Sequence, residues 1–242
     1  MQLEVDIQHK AFTNAAGERL NVLADFKFAL GAGEVGVFVG PSGCGKSTML
    51  RILAGLDHDY RGHVTRPADA RIGMVFQEPR LLPWRSVEEN VRLAAPRVDE
   101  AQLSALFAIL ELNEHRSHFP GELSLGLARR VALARAFAVD PDFLILDEPL
   151  ASLDDALAAR LRYQIATLVD SRSVTTLLVT HDMDDAIRLG DRVFLLSPRP
   201  ARILAELPIR TPRNARGEAE IAAIKAEIAR RTNGDCAKGD VL

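Results

Sequence analysis

The sequence predicts an α/β fold in which buried parallel strands alternate with crossover helices, and three observations carry that reading. Short apolar runs recur at Glu34-Val-Gly-Val-Phe-Val39, Arg71-Ile-Gly-Met-Val-Phe-Gln77, Phe143-Leu-Ile-Leu-Asp147 and Thr175-Thr-Leu-Leu-Val-Thr180, each suited to a strand covered on both faces. Stretches of helical period lie between them. The acids at 147 and 148 and His181 stand at the carboxyl ends of these runs, where sheets of this kind bind ligands.

Taken in order, Leu3, Val5 and Ile7 alternate with polar residues as in a strand, and Asn14-Ala-Ala-Gly17 marks a turn before a second strand-like stretch near Leu20 to Leu30. After the 34–39 run and a glycine-rich segment, Ser47-Thr-Met-Leu-Arg-Ile-Leu-Ala54 begins an apolar-periodic helix closed by Gly55. Glu78 to Trp84 is a loop, because prolines at 79 and 83 push the residues before them out of the helical region. Val87 to Val139 is mainly helical with breaks near Pro96 and Pro120-Gly121, and reads as a separate lobe. Asp155 to Leu168 carries Ala and Leu at helical spacing. Beyond Pro208 the composition turns polar, and Glu218 to Arg231 predicts a helix with Ile221, Ile224 and Ile228 on one face, followed by a frayed end.

At 242 residues, 48% hydrophobic and 26% charged, the chain has the length for a substantial core, one domain with a subdomain. A net charge of −3 and the lack of a basic stripe argue against a protein held to nucleic acid by phosphate contacts. No uninterrupted apolar run approaches the ~18 residues of a membrane span. The start Met-Gln-Leu-Glu-Val-Asp lacks the pattern of a secretory signal, so the expected location is the cytosol. Two cysteines, Cys44 and Cys236, suggest neither a disulfide framework nor a zinc site. Cys44 has two readings: a thiol whose alkylation blocks ligand access, or a small residue tolerated in its loop.

Gly40-Pro-Ser-Gly-Cys-Gly-Lys-Ser47 fits the phosphate-loop pattern without a mismatch, between a strand and a helix as that pattern requires. Glycines at 40, 43 and 45 let the backbone curl so that successive N–H groups point inward, and the helix start adds its positive dipole end. The phosphates of a nucleoside triphosphate belong there, with Lys46 reaching the β and γ phosphates and the Ser47 hydroxyl on Mg²⁺. The strand ending in Asp147 offers a second Mg²⁺ ligand, and Glu148 a carboxylate able to orient or deprotonate an attacking water.

Over roughly residues 3 to 206 the chain resembles the ATP-binding subunit of an ABC (ATP-binding cassette) transporter, because further motifs follow in that family's order. The resemblance implies a P-loop NTPase fold with a RecA-like core, a β-rich N-terminal subdomain and a helical subdomain inserted at about 86–140. These occupy residues 1–206, and a tail with a short helix fills 207–242. It implies that Gly40, Pro41, Ser42, Gly43, Cys44, Gly45, Lys46, Ser47 and Thr48 cradle the phosphates of ATP. Gln77 is similar to the Q-loop glutamine that links Mg²⁺ and the attacking water to a membrane partner. Ala151-Ser-Leu-Asp154 resembles the D-loop beside the dimer axis, and His181 in Val-Thr-His-Asp the switch histidine that contacts the γ-phosphate. Phe12 matches the aromatic that stacks on adenine, with a core or edge phenylalanine as the alternative.

The signature segment departs from the family's Leu-Ser-Gly-Gly-Gln, reading Leu123-Ser-Leu-Gly-Leu127. Ser124, an N-cap candidate, and Gly126 keep a hydroxyl and one close-approach position for the nucleotide of a second copy. Leu125 adds a side chain, and if its position needs positive φ or close γ-phosphate contact, ATP-driven closure should weaken. The loop from Gln77 to Arg85 resembles that of importers of nitrate, sulfonate and taurine-like solutes. The resemblance therefore implies transmembrane permease subunits docked at that loop, with Trp84 and Leu82 in the groove unless they pack onto the helical lobe. It also implies a second copy of the chain in an ATP sandwich, a separate solute-binding protein, and a peripheral location on the cytoplasmic face of the membrane. A soluble ABC-type ATPase acting on DNA or ribosomes, a weakly hydrolysing regulator and a small-molecule kinase are the alternatives. The first would carry two cassettes or a coiled-coil insert, the second conflicts with Glu148 and His181, and the third leaves Gln77, Asp154 and His181 unexplained.

Overall fold

The computed structural model describes residues 2–13 and 17–236. It forms two compact units that interleave in sequence. The phosphate-loop unit comprises Glu4–Ala29, Val35–Val64 and the chain from Val179, and the helical unit comprises Leu30–Glu34 and Thr65–Leu178 together with Leu3.

In the phosphate-loop unit, β1 (Leu3–Thr13) and β2 (Arg19–Leu30) form a sheet with β4 (Arg61–Thr65), in the order β2-β1-β4. Gly62, at φ +128°, permits this, since a Cβ there would lie 2.0 Å from the Asp6 carbonyl oxygen. Strand β3 (Val35–Val39) is buried along its length and pairs in parallel with β8 (Arg192–Leu196), and β9 (Ile203–Pro208) adds an antiparallel edge to β8. The register sets Phe38 opposite Phe194, and their rings stack with centroids 4.5 Å apart. Phe28 meets Phe38 edge-on at 4.8 Å and Phe26 completes the cluster, so β2, β3 and β8 share one aromatic core. The helices here are α1 (Lys46–Leu53), α6 (Met183–Leu189) and α7 (Glu218–Cys236). Ile221 and Ile228 of α7 are buried and Ile224 is half-buried, the face that the sequence predicts. Arg188–Glu218 (2.6 Å) and Lys225–Asp184 ion pairs join α7 to α6.

In the helical unit, β5 (Ile72–Val75), β6 (Phe143–Asp147) and β7 (Thr175–Thr180) run side by side, with β5 and β6 parallel. Four helices, α2 (Val87–Ala94), α3 (Glu100–Ile109), α4 (Leu125–Ala138) and α5 (Asp155–Arg172), bury Val91, Leu103, Phe107, Leu133, Phe137 and Leu168. A capping box starts α2: Glu89 N–H donates to the Ser86 hydroxyl, and Ser86 N–H to the Glu89 carboxylate. Asn90, also buried, accepts from Leu82 N–H at 2.8 Å and donates to the carbonyls of Leu82, Arg85 and Ser86. One amide therefore fixes the loop that precedes α2.

The α/β class is as the sequence predicts, with the parallel pairs β3/β8 and β5/β6. Strands β4, β8 and β9 and helix α6 have no counterpart in the sequence reading. Strand β4 is polar and mostly exposed, α6 has only 7 residues, and β9 is an edge. Strand β5 ends at Val75, so Gln77 lies in a bend beyond it, not at its end. Within the predicted turn Asn14–Gly17, residues 14–16 lie outside the described residues, as do 237–242 of the predicted frayed end.

Replacing Asn90 by Ala removes all four of its bonds and leaves loop groups unsatisfied. At ~0.5–1.5 kcal/mol per bond, a loss of about 2–4 kcal/mol in urea unfolding is expected, and a change below ~0.5 kcal/mol would contradict this role.

Candidate functional site

The phosphate loop leaves β3 at Gly40 and enters α1 at Lys46. Gly45, at φ +129°, begins the helix, and a Cβ on it would lie 2.9 Å from Val22 Cγ1 of β2. Gly43 also has positive φ, +75°, whereas Gly40 is held by space, its Cβ position being 2.8 Å from Leu196 Cβ. The Lys46 ammonium is buried and folds back into the loop, donating to the carbonyls of Gly40 at 2.8 Å and Pro41 at 3.1 Å. Pro41, Ser42, Gly43 and Ser47 are exposed, Thr48 is half-buried and Cys44 is buried. Helices α2 to α6 each begin on a side-chain cap, Ser86, Asp99, Ser124, Asp154 and Asp182 respectively. Helix α1 begins with no side-chain cap and no acid in its first turn. A glycine at the cap position offers no side chain to these N–H groups, and such a helix start is of the kind that suits an anion.

Two further predicted residues lie in this unit. His181, exposed at the end of β7, precedes Asp182, whose carboxylate accepts from the N–H of Asp184 (2.7 Å) and Asp185 (3.3 Å). That cap and the bond from Asp182 N–H to the Thr180 hydroxyl fix the backbone on either side of the histidine. Phe12 is 44% exposed, which removes the core alternative. Sequence reasoning missed Arg199, whose guanidinium donates to the Gly43 carbonyl at 2.5 Å.

The helical unit carries the carboxylates. Asp147 closes the buried strand β6, and Glu148 follows in the left-handed region at φ +45°. An Ala151 N–H bond to the Glu148 carbonyl begins the turn to Asp154, which caps α5 by accepting from Leu157 N–H at 2.9 Å. Arg129 of α4, 6% exposed, donates from Nη1 to the Pro149 carbonyl at 2.7 Å and so holds this strained corner. Burial pushes the Arg129 pKa down, and the charge of Glu148 opposes that shift. Nothing in the sequence marked Arg129 beyond its place in a helix.

Ser124 caps α4, accepting from Leu127 N–H at 3.3 Å, as expected. Leu125 is the first residue of α4 and has no positive φ, so it carries no backbone strain; at this position the departure is an exposed side chain. Beyond β5, Gln77 is exposed, and Arg135 donates to the carbonyls of Pro79 and Arg80, each at 2.8 Å. Trp84 is 69% exposed and Leu82 is half-buried. No cluster of three or more His, Cys, Asp or Glu suited to a metal occurs among the described residues. The donors proposed for Mg²⁺ are hard oxygens of a hydroxyl, a carboxylate and an amide, which fit that ion.

The sequence profile of the ABC transporter family matches residues 23–151. The chain belongs to the ABC transporter family. Its ABC relatives include "Aliphatic sulfonates import ATP-binding protein SsuB 2" of Pseudomonas syringae pv. tomato, 41% identical over 93% of this chain and 95% of that one. "Aliphatic sulfonates import ATP-binding protein SsuB" of Bacillus subtilis is 36% identical over 94% and 93% respectively. Among solved structures, a dimer described as a post-hydrolysis state of the ATP-binding cassette MJ0796 bound to ADP and Pi superposes with TM-score 0.75. It is 28% identical, over 88% of this chain and 100% of that one. No described helix of this ABC protein is long and apolar enough to cross a membrane.

Gly45→Ala forces a methyl against Val22 in a backbone conformation that L-residues rarely adopt. A loss of nucleotide affinity of ~10-fold or more, about 1.4 kcal/mol, is expected in fluorescence titration; unchanged affinity would contradict the tight loop.

Proposed function

We propose that this chain is the ATP-binding and ATP-hydrolysing subunit of an ABC importer, coupling ATP-driven closure of a dimer to uptake of a small anion such as a sulfonate, nitrate or taurine. One observation carries the reading: a glycine-loop helix without a side-chain cap beside a buried lysine, in a chain that matches a sulfonate-import ATP-binding protein over 93% of this chain's length. The solute class comes from that relative's name and from the loop between Gln77 and Arg85. DNA- or ribosome-acting ATPases are not favoured.

In this reading the loop Gly40–Thr48 binds the triphosphate of ATP, and Lys46 turns its ammonium from the two carbonyls toward the β and γ phosphates. Phe12 stacks on adenine. Ser47, Asp147 and Gln77 hold Mg²⁺, which neutralises phosphate charge when bound. Glu148 orients the attacking water and accepts its proton, and His181 contacts the γ-phosphate. Ser124 and Gly126 reach the γ-phosphate of the second copy, and Asp154 ends the turn beside the dimer axis. Hydrolysis to ADP and phosphate adds negative charge and reopens the pair.

The loop fixed by Asn90 and Arg135, with Trp84 exposed upon it, receives the transmembrane permease subunits. A separate solute-binding protein completes the complex at the membrane, with this chain peripheral on the cytoplasmic face. Residues 1–206 form the ATPase domain and 207–242 its tail.

Light scattering on Glu148→Gln protein with and without Mg-ATP tests the reading, since blocked hydrolysis traps a closed pair. A nucleotide-dependent shift from monomer to dimer is expected; monomer at saturating, demonstrably bound ATP would overturn it.

A further inference from the structure

We propose that Lys10 is a positioning residue for adenine recognition: its buried ammonium seats the Phe12 ring and ties it to the turn that closes the phosphate-loop helix. This rests on Phe12 being the adenine-stacking residue.

Lysine is rarely buried, because an ammonium loses hydration that only converging acceptors replace. Lys10 is 2% exposed. Strand β1 buries Leu3, Val5 and Ile7, then changes phase and buries residue 10, so the pattern that buries odd positions brings an even-numbered lysine inside. The ammonium donates to Asp57 Oδ1 at 2.9 Å, the Asp59 carbonyl at 2.6 Å and Asp59 Oδ2 at 3.4 Å. It also lies 4.5 Å from the centroid of the Phe12 ring, two residues along the strand. The rest of that ring is open, at 44% exposure for the residue. A cation against the ring limits its rotation while leaving surface for a purine.

The other end of the pair belongs to the phosphate loop. Helix α1 runs from Lys46 to Leu53, and its end is closed by Ala54 N–H to Leu50, Gly55 N–H to Ile52 and Leu56 N–H to Arg51 carbonyls. Asp57 follows at once and accepts from Asp59 N–H at 3.0 Å. Burial pushes the Asp57 carboxyl up, but the Lys10 hydrogen bond, the Asp59 N–H and the charges of Lys10 and Arg51 hold it below its usual value. The Asp57 carboxylate therefore stays ionised, and its bond to Lys10 links β1 to the turn after α1. The platform for the base and the cradle for the phosphates are set at a fixed separation by this ion pair.

Lys10→Met alone strands a buried carboxylate and risks unfolding, so the test uses the Lys10→Met/Asp57→Asn double variant, which removes both charges. Affinities for Mg-ATP and for Mg-tripolyphosphate, which has no base, are measured by calorimetry beside Phe12→Ala. In the double variant ATP affinity is expected to fall ~5–10-fold with tripolyphosphate unchanged within ~2-fold, and Lys10→Arg is expected to retain most of the ATP affinity. Equal loss for both ligands, or no loss for ATP, would overturn the inference. If Phe12→Ala itself leaves the preference for ATP over tripolyphosphate unaltered, the adenine reading of Phe12 fails first.

Discussion

A positive charge held inside a glycine loop is the constraint on which the rest of this molecule depends. The Lys46 ammonium is buried where the loop curls tightly enough to present the Gly40 and Pro41 carbonyls to it. That curl is pressed against its neighbours on two sides, by Val22 at Gly45 and by Leu196 at Gly40. Val22 sits in β2 and Leu196 in β8, and both strands are positioned by the cluster of Phe26, Phe28, Phe38 and Phe194. The aromatic core thus shapes the phosphate cradle, although none of its rings belongs to the site.

The helix starts are used with discrimination. Where a helix serves structure, a serine or aspartate satisfies its first N–H groups, as Ser86, Asp99, Ser124, Asp154 and Asp182 do. At α1 glycine takes the cap position and supplies no side chain to cap the helix. Ser124 and Asp154 show that a cap can also bring a motif residue to a helix end. Glu148 is one of several non-glycine residues of the helical unit at positive φ, and Arg129 stabilises its corner through the next carbonyl.

What the sequence made legible was local. Strands β3, β6 and β7 announce themselves because burial on both faces demands continuous apolar runs, and the glycine spacing from 40 to 45 admits few other uses. Strand β4 escaped because its pairing rests on Gly62 letting two backbones meet, an interaction without an apolar signature. Lys10, Arg129 and Arg199 escaped for a related reason. Each acts through carbonyls or carboxylates distant in sequence, at Asp57, Pro149 and Gly43, and a lone basic residue looks like any solvated charge. Leu125 is the opposite case: conspicuous in the sequence, it proves to be an ordinary first helical residue with only its side chain to distinguish it.

In the proposed function this chain hydrolyses Mg-ATP only as a pair, each copy completing the other's site. Steady-state ATPase rate per molecule, measured across a wide range of protein concentration, tests it most directly. The rate per molecule should rise with concentration and then level off as the pair forms. A rate per molecule that stays constant down to the lowest concentration would mean that a single copy hydrolyses ATP by itself, and would contradict the paired mechanism.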